Sequence, residues 1–140
     1  MLRKLAITAA TMSLLAGIGV AADEGGPLEK LMEKIQTKTN GMRNVTRNAA
    51  NYAKGSGSIA KDCEEVIKLA KESRDMKEPA EAAKKPLAEW QKLTDDMIRT
   101  AEELSKVTAN PKSTQAQAKE AFGAYNKTCA ACHNVFKKDE

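Results

Sequence analysis

From Pro27 onward, apolar residues recur at alternating spacings of three and four, and no run of alternating β-branched residues interrupts them. That period lines one face of a helix, whereas a strand turns its side chains to opposite faces at every step. An all-α chain is therefore expected, and four stretches carry the pattern. The first runs from about Pro27 to Lys54, with Leu28, Leu31, Met32, Ile35, Met42, Val45, Ala49 and Tyr52 on one stripe. Pro27 suits its opening turn, and Gly55-Ser56-Gly57 is expected to stop it. The second, about Ser58 to Lys77, carries Ile59, Cys63, Val66, Ile67 and Ala70 and ends before Glu78-Pro79. The third, clearest from Pro86 to Val107, carries Leu87, Trp90, Leu93, Met97, Ala101 and Leu104, with a further helical turn available between Ala80 and Lys85. The fourth runs from near Ser113 to about Lys138 through Ala118, Ala121/Phe122, Tyr125, Cys129, Cys132/His133 and Phe136. Four helices of similar length with short connectors favour an antiparallel up-down-up-down four-helix bundle.

The residues ahead of Pro27 read differently. Arg3 and Lys4 precede an apolar run from Leu5 to Val20, followed by Val20-Ala21-Ala22 and then the polar Asp23-Glu24. A positive start, an apolar stretch and small residues at a cleavage position form a secretory signal. The competing reading is a retained anchor, but the run is short against the roughly 20 apolar residues a bilayer span needs. The expected organisation is a signal peptide over residues 1–22 and one domain over residues 23–140, exported to the periplasm with no stable membrane insertion after cleavage.

Without Arg3 and Lys4, 21 basic residues face 19 acidic ones, a formal charge of +2. Aromatic residues make up 4% of the chain, so there is neither a basic block nor a stacking platform for nucleic acid.

Chemistry concentrates at Cys129-Ala130-Ala131-Cys132-His133, the C-x-x-C-H pattern of covalent haem attachment. Thiols three residues apart share one face of a helical turn and can add to the two vinyl groups on one haem edge. The adjacent imidazole then meets the iron. His133 is the only histidine, so no second imidazole competes for the iron. One covalent haem c is expected, with Cys129 and Cys132 as its thioethers and His133 as an iron ligand. Other uses of the pattern fit less well. A structural zinc needs four ligands, and adjacent Cys132 and His133 are awkward in one tetrahedral site even if Cys63 joins them. A thioredoxin-like pair sits at a helix N-terminus, where the dipole lowers a thiol pKa, whereas this pair lies near a C-terminus. A plain disulfide is also open to an exported chain.

The sixth iron position is less constrained. In an antiparallel bundle the end of the fourth helix lies beside the start of the first, which brings Met32 to the height of His133. Met42 lies ten residues further on, about 15 Å along the axis at 1.5 Å per residue. Met97 falls in the far half of its helix, and Met76 stays as a rival. Any of these methionines can equally be core filler. Tyr125 and Phe136 are candidates to wall the haem and Lys137 to approach its propionates, while Trp90 and Cys63 read most simply as core.

At this point the chain resembles the class II c-type cytochromes, the cytochrome c-prime group with its low-spin, methionine-ligated relatives. The residues that carry the resemblance are Cys129-Ala-Ala-Cys-His-Asn-Val-Phe-Lys137 near the C-terminus and Leu28-Glu-Lys-Leu-Met-Glu-Lys34 near the start of the first helix. Lys137 stands where an arginine is usual. The resemblance implies a four-helix haem protein, with a methionine ligand early in helix one in the low-spin members and an open, gas-binding iron in cytochrome c-prime proper. The expected function is an electron carrier rather than an enzyme, serving redox partner proteins in the periplasm as a monomer or homodimer. The alternatives are a five-coordinate protein binding nitric oxide or carbon monoxide, and a colourless zinc or disulfide bundle.

Overall fold

A computed structural model describes residues 25–137; the expected signal peptide lies outside them. The described residues form five helices and no strand: α1 (Pro27–Thr46), α2 (Ala49–Arg74), α3 (Glu78–Ala83), α4 (Leu87–Ala109) and α5 (Gln115–Phe136). The all-α expectation holds, as a bundle in which α1 packs on α2, α2 on α4, α4 on α5, and α5 on α1. The α1–α5 seam is the least closely packed of these four, and the short α3 rests against α4 and α5.

The boundary between the first two helices is not where the glycines suggested. Helix α1 stops at Thr46, and α2 runs straight through Gly55-Ser56-Gly57, so Ala49 and Tyr52 belong to α2. Side chains place the break. Asn48 takes an extended conformation and its side chain accepts the Asn51 N–H at 2.9 Å, the N-cap bond that starts α2. The Asn51 amide in turn donates to the Asn44 carbonyl at 2.9 Å and ties off the end of α1. Gly55 stays helical because α2 passes close to α1 there: a Cβ at Gly55 would sit 3.0 Å from a Val45 methyl. The turn foreseen between Ala80 and Lys85 exists as α3, closed by Lys84 in the left-handed conformation at φ 54°.

The core joins Ile35 and Met42 of α1, Ile59, Cys63, Val66 and Ala70 of α2, Met97, Ala101 and Leu104 of α4, and Ala118, Phe122 and Tyr125 of α5. Buried threonines complete the stripes. Thr39, Thr46, Thr94 and Thr108 donate to the carbonyls of Ile35, Met42, Trp90 and Leu104, four residues back in each case. These local bonds satisfy the hydroxyls, and among the described residues no buried side-chain nitrogen or oxygen lacks a partner.

Candidate functional site

The C-terminal half of α5 carries the whole motif. Thr114 begins this helix with a reciprocal cap to Gln117, and Lys137 ends it, its backbone N–H bonded to the His133 carbonyl at 3.0 Å. Cys129, Cys132 and Phe136 are half-buried, whereas His133 and Lys137 are exposed. No disulfide forms: Cys63, Cys129 and Cys132 are all free thiols. Burial raises the Cys129 thiol above its ordinary pKa and pushes Cys132 up to about 11, with Cys129 as the secondary cause for Cys132. Neither is a thiolate near neutrality, the opposite of what an activated redox pair requires. His133, although its surface is largely open, is held below the ordinary imidazole value, first by desolvation and then by the Lys137 cation. A lowered value favours the neutral ring, the form that ligates a metal.

Cys63 does not join the motif as a zinc ligand. It is wholly buried in the middle of α2, its thiol directed at the Met42 sulfur 3.5 Å away, and burial pushes its pKa up to about 12. Among the described residues no three Cys, His, Asp or Glu side chains are gathered closely enough to hold a metal ion.

A buried hydrogen bond marks the register between α1 and α5. Thr39 Oγ1 and the Tyr125 hydroxyl lie 2.8 Å apart in the core, with Tyr125 wholly buried. Seven residues before Thr39 is Met32, and seven residues after Tyr125 is Cys132. Seven residues are close to two full turns, about 10.5 Å, so each keeps to the face of its helix that holds the pair. Met32 thus lies level with Cys132 and one residue from the level of His133. Both Met32 and Cys129 pack, half-buried, against the core cluster, where the α1–α5 seam is loose.

The remaining methionines sort by position. Met42 is wholly buried against Cys63, as expected of a residue ten positions away. Met76 lies beyond the end of α2 and is half-buried, its N–H bonded to the Ser73 carbonyl. The placing of Met97 in a far half does not hold. The Trp90 ring meets the Phe136 ring edge-on at 5.3 Å between centroids, which brings the start of α4 to the end of α5. Seven residues into α4 from that pair, Met97 falls level with Cys129, where it is buried in the core.

Trp90 was read from the sequence as core packing, with no place at the site. It is core, but core of the motif's end of the bundle: its indole N–H donates to the Ser73 carbonyl at 3.0 Å while its ring backs Phe136. Only the pairing of α4 with α5 carries that information. Tyr125 is less available as a wall than expected, because its hydroxyl is committed to Thr39 one turn inside Cys129.

The family model described as Cytochrome C′ matches residues 27–137, all five helices and the motif. The chain belongs to the Cytochrome C′ family. Neither a curated protein nor a solved structure matches it. Membership makes this a c-type haem cytochrome with covalently bound haem c. The donor set fits that group: two free thiols three residues apart, an imidazole biased toward its neutral form beside them, and a loosely packed seam in front. No helix among the described residues of this Cytochrome C′ chain is long and apolar enough to cross a membrane.

Proposed function

We propose that the chain is an exported, periplasmic electron carrier holding a single haem c, with His133 and Met32 as axial ligands. The fold around it is read as an antiparallel up-down-up-down bundle. The observation that carries this reading is the Thr39–Tyr125 pair, whose register supports Met32 as the methionine facing the motif across the α1–α5 seam.

Haem c, when bound, supplies a one-electron iron couple, with a potential raised by thioether ligation. The chain's own residues supply the rest. Cys129 and Cys132 fix the group to one face of α5, and desolvation and Lys137 favour the neutral, ligating form of His133. Met32 offers a sulfur that needs no deprotonation, so ligation by this residue does not depend on pH. Trp90 and Phe136 pack edge-on and give the end of the bundle an apolar surface beside the motif. The exposed Lys137 is suited to pair with a propionate, as a single point charge rather than the two-pronged contact an arginine makes. On this reading the chain turns over no substrate and serves redox partner proteins.

The test is an optical spectrum of the haem-loaded protein, oxidised and then reduced with and without carbon monoxide. A low-spin spectrum with the weak near-infrared methionine–iron band, unchanged by carbon monoxide, is expected. Met32→Ala should turn it high-spin and lower the potential while leaving helix content intact. A wild-type spectrum that is high-spin and shifts with carbon monoxide would remove Met32 from the iron and make the protein a gas binder.

A further inference from the structure

The turn from α1 to α2 and the turn from α4 to α5 share one pole of the molecule: the Gln115 side-chain amide donates to the Thr46 carbonyl at 2.6 Å. Five cations crowd this pole. Arg47 follows α1, Lys54 lies in the second turn of α2, Lys106 in the last turn of α4, Lys112 in the following turn, and Lys119 in the second turn of α5. All five are exposed, and none enters an ion pair among the described residues. No acidic residue occurs between Glu33 and Asp62, or between Glu103 and Glu120. Arg43, in the last turn of α1, adds a sixth cation, while Glu103 and Glu120, which share a surface groove with Lys106, offset two of them and leave the pole positive.

Helix stability does not account for the pattern. Helices α2 and α5 begin at this pole with no acidic residue in the first turn, where one would favour the helix dipole. The exposed apolar residues here are small, Ala49, Ala50, Ala53 and Pro111, while Tyr52 is buried and Val45 and Val107 are partly so. The surface offers charge without an apolar wedge. It also stands well away from the motif: Thr46 is 14 residues from Met32 along α1, about 21 Å at 1.5 Å per residue. A protein exchanging electrons would dock at the other end, so this pole is suited to holding the molecule rather than to electron exchange.

We propose that the pole seats the protein on an anionic phospholipid surface, with the Cys129–His133 end turned away from it. The attraction is purely electrostatic, reversible and screened by salt. The inference draws on the exported reading only for where it operates, because vesicle binding is measured whatever the iron ligands prove to be.

The test is sedimentation of the haem-loaded protein with vesicles of phosphatidylcholine alone or with about one-third phosphatidylglycerol, at low salt and at about 0.5 M sodium chloride. Binding is expected to the anionic vesicles at low salt only. Lys54→Gln/Lys106→Gln/Lys112→Gln, all at exposed positions, should weaken it on the order of a hundredfold, from about a fivefold loss per charge. Lys77→Gln/Lys84→Gln/Lys85→Gln removes the same charge at the far end and should change it by less than about threefold. Equal weakening by both triples would reduce the effect to net charge and overturn the proposal, as would equal binding to neutral vesicles. Binding to soluble polyglutamate with none to vesicles would overturn it in favour of an acidic protein partner.

Discussion

The hydroxyl of Thr39 has a single hydrogen, and that hydrogen is committed to the Ile35 carbonyl at 2.8 Å. In the bond between them Tyr125 must therefore be the donor and Thr39 the acceptor. The two halves of this pair are not equivalent. Tyr125→Phe deprives Thr39 of one incoming bond but leaves its own donation intact, a loss of about 1 kcal/mol. Thr39→Val keeps the volume and strands a phenol donor in a wholly buried position, costing about 1–3 kcal/mol. Urea unfolding of the two variants should show the threonine replacement as the more damaging. At this scale the motif can be read directly from the sequence, because Cys129, Cys132 and His133 fall within five consecutive residues and their chemistry is local. Thr39, Thr46 and Thr94 were not read as core, because a hydroxyl looks polar until the carbonyl four residues back is seen to accept it. Leu93, expected on the buried stripe of α4, yields its place to Thr94 and is only half-buried.

Among the helices, the misjudged boundary between α1 and α2 has a general cause. Gly-Ser-Gly is a strong breaker by propensity, about 1 kcal/mol per glycine relative to alanine. Here tertiary packing wins, and the true break is a polar stretch, Arg47-Asn48, that ends one helix and caps the next. The two glycines of that stretch differ in what they allow. Gly55 faces Val45 so closely that a methyl would force the helices apart, whereas a Cβ at Gly57 would meet nothing within 4 Å. Gly57→Ala is therefore expected to stabilise the fold by roughly 0.5–1 kcal/mol, through the unfolded chain's lost freedom. Gly55→Ala is expected to gain nothing or to destabilise. Thermal melts of the two variants, moving in different directions, would check this. The number and order of long helices were legible from periodicity alone; their junctions were not, because caps depend on which side chain meets which backbone group.

Across the whole molecule, three of the four lateral seams join helices that follow one another along the chain, apart from the short α3. The fourth joins the first helix to the last, and its Thr39–Tyr125 bond spans 86 residues. Such a contact is entropically the most expensive to form, since the intervening chain must already be ordered or be closed as a long loop. It is also the least closely packed seam, and its motif end relies on Met32 and the half-buried cysteines rather than on a continuous apolar stripe. In the chain before haem attachment, amide exchange should be faster at the start of α1 and the end of α5 than in α2 and α4. Attachment should slow it there most; uniform protection across all helices would contradict this. The loose seam gives the prosthetic group a second role, as a clasp. With the haem anchored on α5 and Met32 of α1 as the proposed ligand, the iron would tie the first helix to the last, at the place where the cofactor enters. Under the proposed ligation, Met32→Ala would then loosen the ring as well as alter the iron's redox chemistry.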